Sequence, residues 1–102
     1  MKALALNTIG QIKQAYKTKL SFKHALDECN FAYKVIVKDG LPEADEALPG
    51  NPKFAEDGVA DCKTEASICE DGFSKGQSPL TSSNQRMEKI SDIARAIVRM
   101  LL

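Results

Sequence analysis

The sequence has no tryptophan, a single histidine (His24), only three cysteines and no excess of charge, its 14 basic and 14 acidic residues cancelling. Each scarcity excludes something. One histidine cannot build a multi-histidine metal site and leaves little material for acid–base catalysis. Zero net charge argues against a DNA- or RNA-binding domain, which is normally basic overall. No apolar run approaches the ~18 residues of a membrane span. The opening Met1-Lys2-Ala3-Leu4-Ala5-Leu6 turns polar at Asn7, too early for the apolar region of a signal peptide. With 102 residues there is room for one small domain, read as residues 3–102, and 43% apolar residues are too many for disorder. Neither nucleic acid nor membrane is expected as a partner.

The charge that is present is segregated. Residues 1–38 carry seven Lys against two acids, residues 39–71 ten acids against two Lys, and residues 72–102 five basic residues against two acids. Blocks of opposite sign are read first as attraction between neighbouring helices of one bundle. Within the acidic block, Lys53 stands out as one of only two cations.

Strand-type alternation, repeats and low-complexity tracts are absent, and four helical segments follow from spacing. In the first, Ala5, Ile9, Ile12, Tyr16 and Leu20 share a face, weakened at Gly10 by about 1 kcal/mol relative to Ala. The second opens near Ser21 and carries Leu26, Cys29, Tyr33, Ile36 and Val37. Gly40-Leu41-Pro42 breaks or kinks it before Ala44, Ala47 and Leu48 resume the pattern. Pro49-Gly50-Asn51-Pro52 is the strongest stop in the chain, and it is also a helix start. Asn51 can cap free backbone N–H groups, and Pro52 at the first helical position loses no hydrogen bond. Ala55, Val59, Cys62, Ala66, Cys69 and Phe73 then form a near-heptad stripe, ended by Gly72, Gly76 and Pro79. Asn84 or Ser83 is expected to cap the last helix, with Met87, Ile90, Ala94, Ile97 and Leu101 on its apolar face. The fold class is all-α, an antiparallel up-and-down four-helix bundle with breaks near Leu20–Ser21, Pro49–Asn51 and Gly76–Thr81.

Three cysteines leave one unpaired if a disulfide forms. A Cys29–Cys69 bridge between two core-facing stripes would close a loop of about 40 residues, contributing on the order of 4 kcal/mol in the chain-entropy model. Cys62, on the stripe of Cys69, can substitute as partner or remain a buried thiol, and three reduced core cysteines satisfy the same pattern. Zinc held by His24 and the three cysteines is disfavoured, because zinc ligands pair at gaps of about two to four residues, and no metal is expected. His24, among lysines and with no activating neighbour, reads as a surface residue. Glu43, Asp45, Glu46, Glu56 and Asp57 read as a solvated helical face, not as a buried acid–base pair. The glycines form no phosphate-cradling loop. The chain reads as a binding protein without cofactor, not as an enzyme.

Cys29-Asn30-Phe31-Ala32-Tyr33-Lys34-Val35-Ile36 and Cys69-Glu70-Asp71-Gly72-Phe73 stand forty residues apart at their cysteines. Together with Ser78-Pro79-Leu80-Thr81 and Ile93-Ala94-Arg95-Ala96-Ile97-Val98-Arg99, they resemble the plant invertase and pectin methylesterase inhibitor family. The likeness spans residues 4–102 and is strongest from Leu26 onward, resting on order and spacing more than on any one motif. Pro52-Lys53-Phe54, followed by Ala55-Glu56-Asp57-Gly58, resembles the motif of the invertase branch, which enters the active-site cleft and competes with sucrose. The resemblance implies acid invertase (β-fructofuranosidase) as partner, or alternatively pectin methylesterase on the same fold. It also implies a Cys29–Cys69 disulfide with Cys62 free, and a place in the apoplast or vacuole. The chemistry is coherent: a retaining glycosidase cleft presents two close carboxylates, and a Lys ammonium is a compact charge that can reach them. The family begins with a disulfide-held helical hairpin after a secretory signal, so this chain reads as a member lacking both. A helical bundle that carries an apolar ligand or merely assembles, or an inactive relative, is the reading from another class.

Overall fold

The computed structural model describes residues 1–18 and 20–101; Lys19 and Leu102, the last residue of the expected 3–102 domain, lie outside the described residues. Helix α1 (Lys2–Thr18) leads through one 3₁₀ turn (Leu20–Phe22) into α2 (Lys23–Val35). A π-helical stretch (Ile36–Gly40) joins α2 to α3 (Leu41–Ala47), and α4 (Pro52–Asp71) and α5 (Thr81–Arg99) follow. Because the joint between α2 and α3 is itself helical and has right-handed helical backbone angles at both ends, the described residues make four helical rods. No strand occurs among the described residues, and the fold is an all-α bundle.

Pro42 explains the π stretch. It has no N–H to return to the carbonyl four residues back, so the helix widens by one residue instead of breaking. Leu41 accordingly donates to the Ile36 carbonyl, a five-residue step. Gly40, at the end of this stretch, is buried against α4: a Cβ there would lie 2.8 Å from Cys62 Sγ. A Cβ on Gly58 of α4 would meet the Gly40 carbonyl at 3.0 Å and the Ala44 nitrogen at 3.2 Å. Here two helices touch backbone to backbone, and both glycines are needed for the approach.

Helices α4 and α5 run in opposite directions. Glu56 pairs with Arg95 and Arg99, Lys63 Nζ lies 2.8 Å from Asp92, Ser67 donates to Glu88, and Glu70 accepts from Asn84 and Thr81. As one helix advances, its partners retreat along the other. The acidic and basic blocks therefore meet across this interface. The core is filled by Ile12, Leu26, Tyr33, Ile36, Leu80 and Met87, with the α4 stripe from Ala55 to Phe73 buried along its length. Each large apolar side chain buried in this way contributes roughly 1.5–3 kcal/mol. Cys29 and Cys69 are joined by a disulfide, Cα to Cα 4.4 Å, and Cys62 is a buried free thiol pushed up to about 11, first by burial and then by Asp61 and Glu65.

Three details depart from expectation. Leu20 is exposed in the 3₁₀ turn and not part of the α1 stripe; Thr8 and Ala15 are buried instead. Neither Ser83 nor Asn84 caps α5, which starts at Thr81 after Leu80 with no side-chain cap. Asn84 lies inside the helix and is buried: its Oδ1 accepts from the Tyr33 hydroxyl at 2.6 Å, and its Nδ2 donates to Glu70 at 2.8 Å. A residue with interior partners to satisfy serves them before a helix end. The α5 face is also rotated from its apolar periodicity. Ser83, Asn84, Met87, Ser91 and Val98 are buried, whereas Ile97 and Leu101 are exposed. Its polar pairings with α4 set the rotation.

Candidate functional site

The Pro52-Lys53-Phe54 segment is the outward corner between α3 and α4. After Ala47 the chain turns tightly, with Gly50 and Asn51 N–H groups both donating to the Ala47 carbonyl. Asn51 has the non-helical backbone of a cap (φ −149°, ψ 78°), and its side chain accepts from Phe54 N–H at 3.2 Å. Its carbonyl receives the N–H groups of Phe54 and Ala55, at 3.1 and 3.2 Å. Pro52 takes the first helical position, where its missing N–H costs nothing and its fixed φ suits the helix. The cap expected from Asn51 and Pro52 therefore forms, and side-chain caps of this kind contribute about 1 kcal/mol.

Lys53 and Phe54 come next and face solvent. The Lys53 side chain is 66% exposed and Phe54 is 47% exposed. Lys53 Nζ stands 3.4 Å from Asp57 Oδ1, an exposed pair one turn apart. Such pairs contribute roughly 0.3–0.5 kcal/mol, so the ammonium is released from it at little cost. A cation in the first turn also opposes the helix dipole, an unfavourable contribution of about 0.3–1 kcal/mol. Local helix stability thus gives no reason for a lysine here, and an aromatic ring half in water contributes little to the core.

Ala55 and Glu56 turn inward. The Glu56 side chain is only 3% exposed, and its Oε1 accepts from Arg95 Nε and Arg99 Nε, both at 3.0 Å. These two hydrogen bonds, Arg95 first and Arg99 second, hold its carboxyl below the ordinary value. This corrects the reading of Glu56 as part of a solvated face: α5 delivers two guanidinium groups to it, and a paired carboxylate can be buried where a lone one cannot. The signal lay in the four-residue spacing of Arg95 and Arg99, which puts both on one face of α5. Asp45, Glu46 and Asp57 are exposed and Glu43 is half-buried.

The corner stands between two open grooves. One, of about 640 Å³, runs along α3 and is lined by Asp39, Glu43, Glu46, Asn51 and Phe54. The other, of about 630 Å³, is more apolar and is lined by Val37, Leu41, Leu48, Val59, Ile97 and Val98. The disulfide lies at the opposite end of α4 and does not touch the corner; it ties α2 to α4. His24 is exposed on α2, within 3.5 Å of Glu28. Among the described residues no group of His, Cys, Asp and Glu is arranged to hold a metal ion, and no helix is long and apolar enough to cross a membrane.

No family model matches the chain. Over 98 residues, 95% of its length, it is 50% identical to a cell wall / vacuolar inhibitor of fructosidase 1 of Arabidopsis thaliana. Those residues make up 47% of that relative, so the chain spans about half the length of the curated relative it matches. The matched residues run through nearly all of the bundle. The chain belongs to the invertase inhibitor family.

Proposed function

We propose that this chain is a protein inhibitor of acid invertase whose Pro52, Lys53 and Phe54 enter the enzyme's active-site cleft and compete with sucrose. The observation that carries the reading is the corner itself: a rigidly capped helix start presents one cation and one aromatic ring that local stability does not explain. Its similarity to a protein named as an inhibitor of fructosidase supplies the class of partner. In a cleft of two close carboxylates, the Lys53 ammonium replaces its weak contact with Asp57 by charge-assisted hydrogen bonds at lower dielectric. Phe54 offers a flat apolar face beside it, of the kind that sugar-binding clefts accept. The chain is a binding protein and catalyses nothing in this reading. The relative's name points to the cell wall or vacuole as the place of action.

Titration of purified acid invertase with the chain tests this. Inhibition should raise the apparent KM for sucrose and leave kcat unchanged. Inhibition that ignores sucrose concentration would count against cleft insertion. A parallel titration of pectin methylesterase separates the rival partner. Inhibition of neither enzyme, with displacement of a fluorescent lipid from the apolar groove, would favour a carrier.

A further inference from the structure

We infer that Glu56 is the positioning residue of the corner: clamped by Arg95 and Arg99, it fixes the start of α4 against the end of α5 and so sets the orientation in which Lys53 is presented. The inference rests on the proposed role of Lys53 for its functional half; the structural half stands alone. Glu56 lies three residues after Lys53, in the first turn and a half of α4. It is buried, whereas Arg95 and Arg99 are partly exposed, so the carboxylate is the fixed member and the guanidinium groups close over it. Arg95 and Arg99 stand one turn apart on α5, and both Nε atoms reach the same oxygen at 3.0 Å. Two donors meeting one acceptor allow a single register between the helix ends, and registry is the best-attested use of buried ionic groups. With Glu56 held inward, Phe54 falls on the far side of the helix, and Lys53, one turn before Glu56 on the neighbouring face, stands at the exposed rim of the clamp.

The test uses the whole chain and two readouts. Amide exchange at Phe54 and Ala55, whose N–H groups close the first turn onto Asn51, reports the order of the corner without any enzyme. Glu56→Gln keeps the shape and removes the charge; Arg99→Gln removes one donor and serves where the first variant folds poorly. Both should accelerate exchange at Phe54 and Ala55 while leaving residues 62–71 protected and helicity unchanged. If the ordered corner falls to about one-tenth of the population, inhibition of acid invertase weakens about tenfold in parallel. Lys63→Ala breaks the mid-helix pair with Asp92 and should change neither readout, which separates a clamp at the corner from general weakening of the α4–α5 interface. Unaltered exchange in Arg99→Gln would overturn the clamp. Faster exchange with full inhibition would overturn its role in positioning. If Lys53→Ala also inhibits like the parent, cleft insertion fails instead, and the exchange data alone decide the clamp.

Discussion

Replacing Lys53 by alanine separates folding from binding. In the free protein the side chain is 66% exposed, and its ion pair with Asp57, at 3.4 Å, is also exposed. Losing that pair costs about 0.3–0.5 kcal/mol. Removing a cation from the helix start returns about 0.3–1 kcal/mol, and alanine is the better helix former. These terms nearly cancel, so helicity and thermal midpoint should stay almost unchanged. In the proposed complex the arithmetic differs. Truncating one member of a buried charge pair costs about 2–5 kcal/mol, because the enzyme's carboxylates are left without their counter-charge. This corresponds to a loss of affinity of roughly 30- to 4,000-fold. The assay is the inhibition constant against purified acid invertase, with circular dichroism melting on the same samples. Lys63→Ala is the control, since Lys63 is spent on Asp92 in the middle of α4, ten residues beyond Lys53. Two alanine variants that both inhibit like the parent would refute cleft insertion by this segment.

The remaining predictions concern the scaffold. Gly40→Ala should destabilise the chain by about 1–3 kcal/mol, the usual penalty for overpacking, because the new Cβ lands 2.8 Å from Cys62 Sγ. Adding Cys62→Ala should recover part of that loss; purely additive melting data would show that the sulfur is not the obstacle. Non-reducing peptide mapping should link Cys29 to Cys69 and leave Cys62 unreactive until the chain unfolds, and a link from Cys62 to either would contradict this. Reducing the bridge should lower stability by about 4 kcal/mol in the chain-entropy model. Glu56 predicts the response to acid. Its folded pKa is depressed, so its contribution is present above the unfolded value and is lost only as pH falls through the lower, folded one. Protection of the Phe54 amide, taken relative to its intrinsic exchange rate at each pH, should therefore hold down to the ordinary glutamate range near pH ~4.3 and fall only below it. A loss of protection beginning near neutrality would assign control of the corner to another group.

The helices and their breaks were legible because apolar spacing and Gly/Pro punctuation act locally. The α4 stripe from Ala55 to Phe73 is buried along its length, and the stop at Pro49-Gly50-Asn51-Pro52 is where the chain turns. Misreadings cluster where polar partners from another helix decide. On α5, apolar periodicity pointed to Ile97 and Leu101, but the helix turns Asn84 toward Tyr33 and Glu70 and presents Arg95 and Arg99 to Glu56. Those pairings leave Ile93, Ile97, Met100 and Leu101 in water. Glu56 itself is one of ten acids in its block, and nothing local distinguishes it; only the approach of α5 does. The corner residues were legible for the opposite reason, since a cap, a proline and an unpaired-looking cation occupy consecutive positions.

The corner also suits its proposed task through what is already ordered before any partner arrives. An inhibitor that inserts a loop must order it on binding, at about 0.5–1.5 kcal/mol for each immobilised side chain beyond the backbone. Here the backbone is ordered in advance at four points: Asn51 caps the turn, Pro52 fixes one angle, Glu56 is held from α5, and Gly58 lies against the Gly40 carbonyl. Between Pro52 and Glu56 the exposed side chains are Lys53 and Phe54. The two side chains that would touch the enzyme are thus the main parts of the corner left to order, and the surrounding anchors act on affinity without touching the partner. Gly58→Ala puts this reasoning to work. The added methyl must displace the backbone of Gly40 and Ala44, 3.0 and 3.2 Å away, and so shifts α3 against the start of α4. Alanine's better helix propensity, about 1 kcal/mol, offsets part of the strain, so the melting point should move little. Inhibition should nevertheless weaken by more than the change in stability accounts for. Equal losses in the two would mean that the corner's aim is not what the close approach protects.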